Sequence, residues 1–108
     1  MTPQDVNKRL LACLDNLRKV LDDLKSDDYA AAQAKGVYEV AKARSFLTTD
    51  GPVESRKMRA IELTDTERQA LDLAEVRHRA SQELMRFLKV EIEVLRTVSS
   101  TIRAEMSL

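Results

Sequence analysis

The sequence predicts an all-α protein, a long antiparallel helical hairpin similar to a coiled coil with a short helix at its tip. The chain of 108 residues contains only two Gly and two Pro, and it is 44% apolar and 33% charged. Apolar residues recur at steps of three and four over two long stretches, as in amphipathic helices. One cluster of helix breakers separates these stretches. A chain of this length suits one domain, so we expect residues 1–108 to form a single helical-hairpin domain.

The first helix is predicted over residues 3–47. Thr2 can cap it, Pro3 suits its first turn, and Asp5 opposes the helix dipole. An Asp-rich segment at 22–28 weakens the pattern, since Asp is a poor helix former. Helical spacing resumes at once in the Ala-rich run 29–44, which favours one helix with a local irregularity. Its seam consists of the following residues: Val6, Leu10, Cys13, Leu14, Leu17, Leu21 and Leu24.

Gly36 lies beside a face of small side chains in the second half of this helix. A Gly inside a helix costs about 0.5–1 kcal/mol relative to Ala. That cost is understandable if another helix crosses very close to Gly36, which would make Gly36→Leu destabilising by overpacking. The alternative is that Gly36 is tolerated on an exposed surface. The small face consists of these residues: Ala30, Ala34, Val37 and Ala41.

The turn is predicted at residues 48–52, which read Thr-Thr-Asp-Gly-Pro and form the strongest breaker cluster. A short helix then occupies 53–63. Thr64 and Glu67 fit a capping box for a long helix over 65–106. If Leu47 lies opposite Thr66, this register brings the small face against Ala74, His78 and Ser81, and Asp27 and Asp28 near Arg86.

The long last helix carries two apolar arcs rather than one. The first arc runs from Leu71 to Met106 and faces the first helix. The second contains Phe87, Val90, Val94 and Val98, and the chain offers no other segment long enough to cover it. We therefore predict that these four residues form an oligomer interface, which joins two hairpins into a four-helix bundle. The alternative is a monomer whose second arc binds a foreign protein.

The residues that could support catalysis or bind metal are isolated. His78 is the only histidine, lacks a partner Cys and has no carboxylate at i+3 or i+4, so a seam histidine bonded to the neighbouring helix is favoured. Cys13 is the only cysteine and is expected to be a reduced, packed thiol. Phosphate-binding loops, zinc-protease motifs and nucleophile elbows are absent from the sequence. We predict no catalytic residue, no metal and no cofactor.

Basic side chains concentrate at the loop end of the hairpin. Phosphate groups or an acidic protein partner could bind there, although the excess of charge is small and a solvated surface is the default interpretation. The formal net charge of the whole chain is zero, which excludes a global attraction to nucleic acid or acidic membranes. No aromatic residue interrupts the basic run to stack on a base. The candidate contacts are the following: Lys42, Arg44, Arg56, Lys57 and Arg59.

Three short motifs resemble a known group of proteins. They are the segment 41–47 (Ala-Lys-Ala-Arg-Ser-Phe-Leu), the segment 51–57 (Gly-Pro-Val-Glu-Ser-Arg-Lys) and the closing Ala-Glu-Met at 104–106. Together they are similar to small uncharacterised all-helical proteins of tailed bacteriophages, over roughly residues 29–108. The secreted WXG-type hairpins are excluded because the chain lacks Trp. The resemblance implies a phage protein, often encoded beside replication and recombination genes.

These observations predict a non-catalytic interaction or scaffold protein that acts as a homo-oligomeric bundle and binds a phage or host protein. The alternative is an accessory nucleic-acid-binding protein of phage replication or recombination that uses the basic loop end. We find no signal peptide pattern and no apolar run of about 18 residues. We therefore expect no membrane association and a cytoplasmic location.

Overall fold

Three α-helices make up nearly all of the chain in the computed structural model, which describes residues 1–107. α1 spans Pro3–Thr48 with 46 residues, α2 spans Val53–Leu63 with 11, and α3 spans Asp65–Met106 with 42. Within residues 1–107 there is no strand, so the all-α prediction is confirmed. α1 ends one residue later than predicted and runs through the Asp-rich segment without interruption.

The chain packs as two compact units. The terminal unit contains Met1–Leu24 together with residues 80–107, and the central unit contains Lys25–Arg79. α1 and α3 contribute to both units, whereas α2 lies wholly in the central one. The assignment of all residues to a single domain stays a prediction.

The start of α1 is closed by a reciprocal pair of hydrogen bonds. The Asp5 N–H donates to Thr2 Oγ1 at 3.2 Å, and the Thr2 N–H donates to Asp5 Oδ2 at 3.0 Å. This is the capping-box arrangement with Asp in place of the usual Glu. The bond from the Thr2 backbone is the main reason why the pKa of Asp5 lies below its ordinary value. Thr2 therefore caps α1, as the sequence predicts.

The end of α1 is closed by side chains from two sources. Thr48 Oγ1 donates to the Arg44 carbonyl at 2.8 Å, and Thr49 Oγ1 donates to the Ser45 carbonyl at 2.7 Å. Arg56 of α2 adds a bond from Nε to the Phe46 carbonyl at 3.0 Å. α1 has no basic residue in its own last turn, so Arg56 provides the positive charge that the C-terminal end of a helix favours.

The junction between α2 and α3 differs from the predicted capping box. The Thr64 N–H and its hydroxyl both donate to the Ala60 carbonyl, at 3.2 and 2.6 Å. Thr64 is consequently the last hydrogen-bonded residue of α2, and its N–H is already occupied. Glu67 therefore has no donor to reach back to, and its Oε2 is buried without a hydrogen bond among residues 1–107. The capping-box prediction is wrong because Thr64 is the C-cap of α2, and both its N–H and its hydroxyl are bonded to the Ala60 carbonyl.

The core of the terminal unit lies between α1 and α3. Val6 and Cys13 of α1 cluster with Ile92 and Leu95 of α3. Further along α1, Val20 clusters with two earlier α3 residues, Met85 and Leu88. The residue numbers of the α3 partners decrease as those on α1 increase, so the two segments are antiparallel. Burying each larger side chain stabilises the fold by about 1.5–3 kcal/mol, so these two clusters are the main source of apolar stabilisation in the terminal unit.

The predicted register along the hairpin is wrong by roughly one heptad. Asp28 Oδ1 lies 3.4 Å from His78 Nε2, whereas Arg86 pairs with Glu83 at 2.6 Å. In the central unit α2 packs alongside the last turns of α1, with Arg56 against Phe46. The antiparallel pairing with α1 therefore begins in α2 and not at Thr66 of α3. α2 packs against α1 instead of serving as a spacer at the tip.

Gly36 does not mark a close helix crossing. A Cβ built on Gly36 would meet no heavy atom within 4 Å, and the residue is exposed. Of the small face beside it, Ala34 and Ala41 are half-buried while Val37 is exposed. The prediction that Gly36→Leu overpacks the site is overturned, and the alternative of an exposed, tolerated glycine holds.

Candidate interaction surfaces

An apolar stripe runs along the outer side of α3 in the terminal unit. We define it by Phe87, Val90, Val94 and Val98, which lie within an arc of about 80° at roughly 100° per residue. The first three are 64%, 61% and 55% exposed, while Val98 is half-buried and packs against the core. These are the four residues that the sequence assigns to an oligomer interface. Three of the four apolar side chains of the stripe are therefore turned towards solvent.

A shallow groove separates the stripe from the start of α1. Met1 and Arg9 line its α1 side, and Glu91 lines its α3 side. Arg9 Nη2 lies 3.7 Å from Glu91 Oε1, which fixes the charges along this edge. The Glu91 carboxylate also lies close enough to the Cys13 thiol to act on its pKa. Burial and this carboxylate raise the pKa of the Cys13 thiol, so it stays protonated and packed, as expected from its position among apolar residues.

The opposite edge of the stripe carries charges of both signs. Arg86 Nη1 lies 2.6 Å from Glu83 Oε1, and both side chains are well exposed. Glu93 and Thr97 line a second shallow groove beside Val90 and Val94. Such a mixed edge around an apolar strip has the composition of a coiled-coil seam, with apolar residues inside and charges at the flanks.

Arg56 is the predicted contact residue whose placement differs most from a free surface cation. Its guanidinium lies 4.2 Å from the centre of the Phe46 ring, and its Nε donates to the Phe46 carbonyl. The side chain is half-buried. It therefore joins α2 to the end of α1, a structural role that the sequence analysis missed. The absence of any basic residue from the last turn of α1 is the signal that could have indicated it.

The other four predicted cations do not form one patch. Lys57 lies 3.8 Å from Glu54, and Arg59 lies 3.3 Å from Glu62, both as pairs within α2. Lys42 is 5.6 Å from the centre of the Tyr38 ring. Each of these three therefore has a neighbour that partly satisfies its charge.

The predicted cations of the central unit also line different grooves. Lys42 and Lys57 line a groove of about 570 Å³ whose floor includes Phe46, Ala60 and Ile61. Arg44 lines a different groove, beside Gly36. The basic loop end is thus split between an apolar groove with two lysines and a separate face of α1.

His78 lies on the seam of the central unit as predicted, with Asp28 as its neighbour on α1. The pair is ionic when the imidazole is protonated. Within residues 1–107, no three side chains among His, Cys, Asp and Glu are grouped closely enough to hold a metal ion. In the same residues, no helix is both long enough and apolar enough to cross a bilayer.

Comparison of the chain with protein-family models, with curated proteins and with solved structures found no match. The function is therefore inferred from the chemistry of the surfaces described above.

Proposed function

We propose that this protein is a non-catalytic interaction or scaffold protein that works as a homo-oligomeric helical bundle and holds a protein partner. The observation that carries the proposal is the exposed apolar stripe on α3. Leaving its larger side chains in water forfeits about 1.5–3 kcal/mol each, which a second helical surface would recover. Unpartnered apolar strips of this kind are characteristic of protein-protein contacts.

In this proposal the terminal units of two copies form a four-helix bundle, with α1 and α3 of each copy contributing. The central units bind the protein partner, of phage or host origin as the bacteriophage resemblance suggests, in the cytoplasm. The groove with Lys42 and Lys57 supports this division, because its apolar floor and charged rim suit a protein surface.

Sedimentation equilibrium at micromolar concentration tests the proposal. We expect a mass above the 12.3 kDa of one chain. Phe87→Glu combined with Val94→Glu should lower that mass, because it places two charges in the stripe. Tyr29→Glu is the matched control, since Tyr29 is an equally exposed aromatic residue of a long helix outside the stripe. A parent chain that sediments at 12.3 kDa refutes the bundle.

The alternative of nucleic-acid binding receives little support from the basic residues. Arg56 is occupied at the end of α1, and Lys57 and Arg59 are paired with glutamates. A mobility-shift titration at low salt separates the two functions. Phosphate contacts would appear as binding that falls steeply when the salt concentration is raised. Salt-sensitive binding that is lost on replacing Lys57 and Arg59 by Glu would favour the alternative.

A further inference from the structure

We propose that the second copy pairs with the stripe in the antiparallel direction, with Phe87 opposite Val90 of the partner subunit and Arg86 opposite the partner subunit's Glu93. This inference rests on the proposed function, because it specifies how the two copies meet. It is carried by the positions of three charged residues around the stripe: Glu83, Arg86 and Glu93.

The first argument concerns the continuation of the stripe. Glu83 precedes Phe87 by four residues, and Thr97 follows Val94 by three. The positions 83, 87, 90, 94 and 97 therefore continue the alternating steps of a coiled-coil seam. The structure exposes the Glu83 side chain and holds its carboxylate against Arg86. The seam of the second interface thus contains one acidic residue near one end.

A parallel pair with two-fold symmetry brings each seam residue against its own copy. Glu83 would then face Glu83 of the partner subunit within an otherwise apolar seam, where like charges repel strongly. An antiparallel pair places Glu83 opposite the partner subunit's Val94 instead. The aliphatic stem of Glu83 can cover the valine while its carboxylate keeps the bond to Arg86. The acidic seam residue therefore selects the antiparallel direction.

The flanking charges select the register within that direction. Arg86 and Glu93 are seven residues apart on the same flank of the stripe, and in an antiparallel pair equal flanks face each other. With Phe87 opposite Val90 of the partner subunit, Arg86 meets the partner subunit's Glu93, and two-fold symmetry repeats the attraction. A slip of one heptad in either direction brings Glu93 against Glu93, or Arg86 against Arg86, of the other copy.

A thiol cross-linking experiment tests the direction. Val94→Cys alone places its two thiols about eleven residues out of step in the antiparallel pair, so oxidation with diamide should give no cross-linked dimer. A mixture of Val94→Cys and Glu83→Cys chains should give a band at twice 12.3 kDa. The parent chain, whose only thiol is the buried Cys13, is the control. Cross-linking of Val94→Cys by itself would establish a parallel pair and overturn the inference.

A charge exchange tests the register. Arg86→Glu alone and Glu93→Arg alone should each weaken self-association by about tenfold or more, because both create two like-charged contacts. An equimolar mixture of the two variants should recover the affinity of the parent, since every contact is again between opposite charges. Equal affinities of the single variants and the mixture would refute the register. A parent chain that is monomeric would instead refute the bundle itself, so the two failures are distinguishable.

Discussion

The terminal unit and the central unit differ in the kind of internal contact that stabilises each of them. Seven of the eight buried hydrophobic residues among the described positions belong to the terminal unit, and the remaining one is Ala60. The central unit relies instead on small half-buried side chains, the Arg56 contact with Phe46 and the Asp28–His78 pair. Because apolar burial contributes most to stability, the terminal unit should dominate the free energy of unfolding. The stability of the central unit should depend more on its polar contacts than that of the terminal unit does.

The strongest test of this difference removes volume from the terminal core. Leu95 is only 4% exposed and packs against α1, so Leu95→Ala should lower the free energy of unfolding by about 2–5 kcal/mol. Leu47→Ala in the central unit is the matched control. Leu47 is 73% exposed, and its truncation should change stability by no more than about 0.5 kcal/mol. Urea denaturation of both variants measures the two effects, and similar losses would contradict the comparison.

A smaller effect is expected at the contact that closes the central unit. Arg56→Met removes the hydrogen bond to the Phe46 carbonyl and the cation-ring contact while keeping much of the side chain's length. We expect a loss of about 1–2 kcal/mol, since a charged hydrogen bond and a cation–π contact of this exposure are worth about that much.

Arg56→Lys is the informative companion to this variant. It keeps the positive charge near the end of α1 but lacks the Nε donor and the planar guanidinium. Hydrogen exchange of the amides of residues 42–48 should accelerate in both variants, more in Met than in Lys, and remain unchanged in the terminal unit. Unaltered exchange in both variants would show that Arg56 does not join α2 to α1.

Arg56 illustrates which features of the fold can be predicted from the sequence and which cannot. Helical periodicity predicts the three helices and the exposed stripe at Phe87, Val90 and Val94, because the spacing of apolar residues fixes which face of a helix is buried. The partner of that face is not contained in the spacing. Residues 49–52, with Gly51 at a φ of 112°, connect α1 to α2. α2 lies against the end of α1, and this displaces the pairing of α3 with α1, so that Asp28 lies beside His78. A basic residue such as Arg56 then becomes a structural contact instead of a surface cation.

Thr64 and Gly36 show the same limit at shorter range. The sequence around Thr64 matches a capping box, yet the outcome depends on whether the preceding helix has already occupied the N–H of that residue. The cost of Gly36 in a helix is readable from the sequence, but the space around it is decided by how the neighbouring segments pack. In both cases the residue type indicates a set of conformations, and tertiary contacts choose among them.

A gain in stability is expected where the structure leaves open space. Gly36→Ala should stabilise the protein by about 0.5–1 kcal/mol, because it improves helix propensity at an exposed position without a clash. The gain should appear in the exchange of α1 amides around residue 36 and in the thermal midpoint. Gly51→Ala is the control, since Gly51 has a positive φ that disfavours Ala, and it should destabilise. A loss of stability in Gly36→Ala would restore the close crossing that the structure excludes.

The smallest expected effect compares one exposed carboxylate from each unit. The pKa of Asp5 is lowered mainly by the backbone N–H of Thr2, whereas the pKa of Asp65 is lowered mainly by hydrogen bonding to the Arg68 guanidinium. Both folded-state values lie below the ordinary 3.8, so ionised Asp5 and Asp65 stabilise the fold above that pH, and the contribution disappears as the pH falls through the lowered values.

Salt should separate the two carboxylates. Added salt screens the attraction between the exposed charges of Asp65 and Arg68, whereas a short hydrogen bond from a neutral N–H is affected much less. Titration of the side-chain carboxyl carbons by NMR at low and at high salt should therefore move the pKa of Asp65 towards 3.8 and leave that of Asp5 nearly unchanged. Thr2→Pro, which lacks the backbone N–H, should raise the pKa of Asp5 and leave that of Asp65 unaltered, and Arg68→Gln should do the reverse. An equal response of both groups to salt would mean that Asp5 is held by charge instead of by its cap.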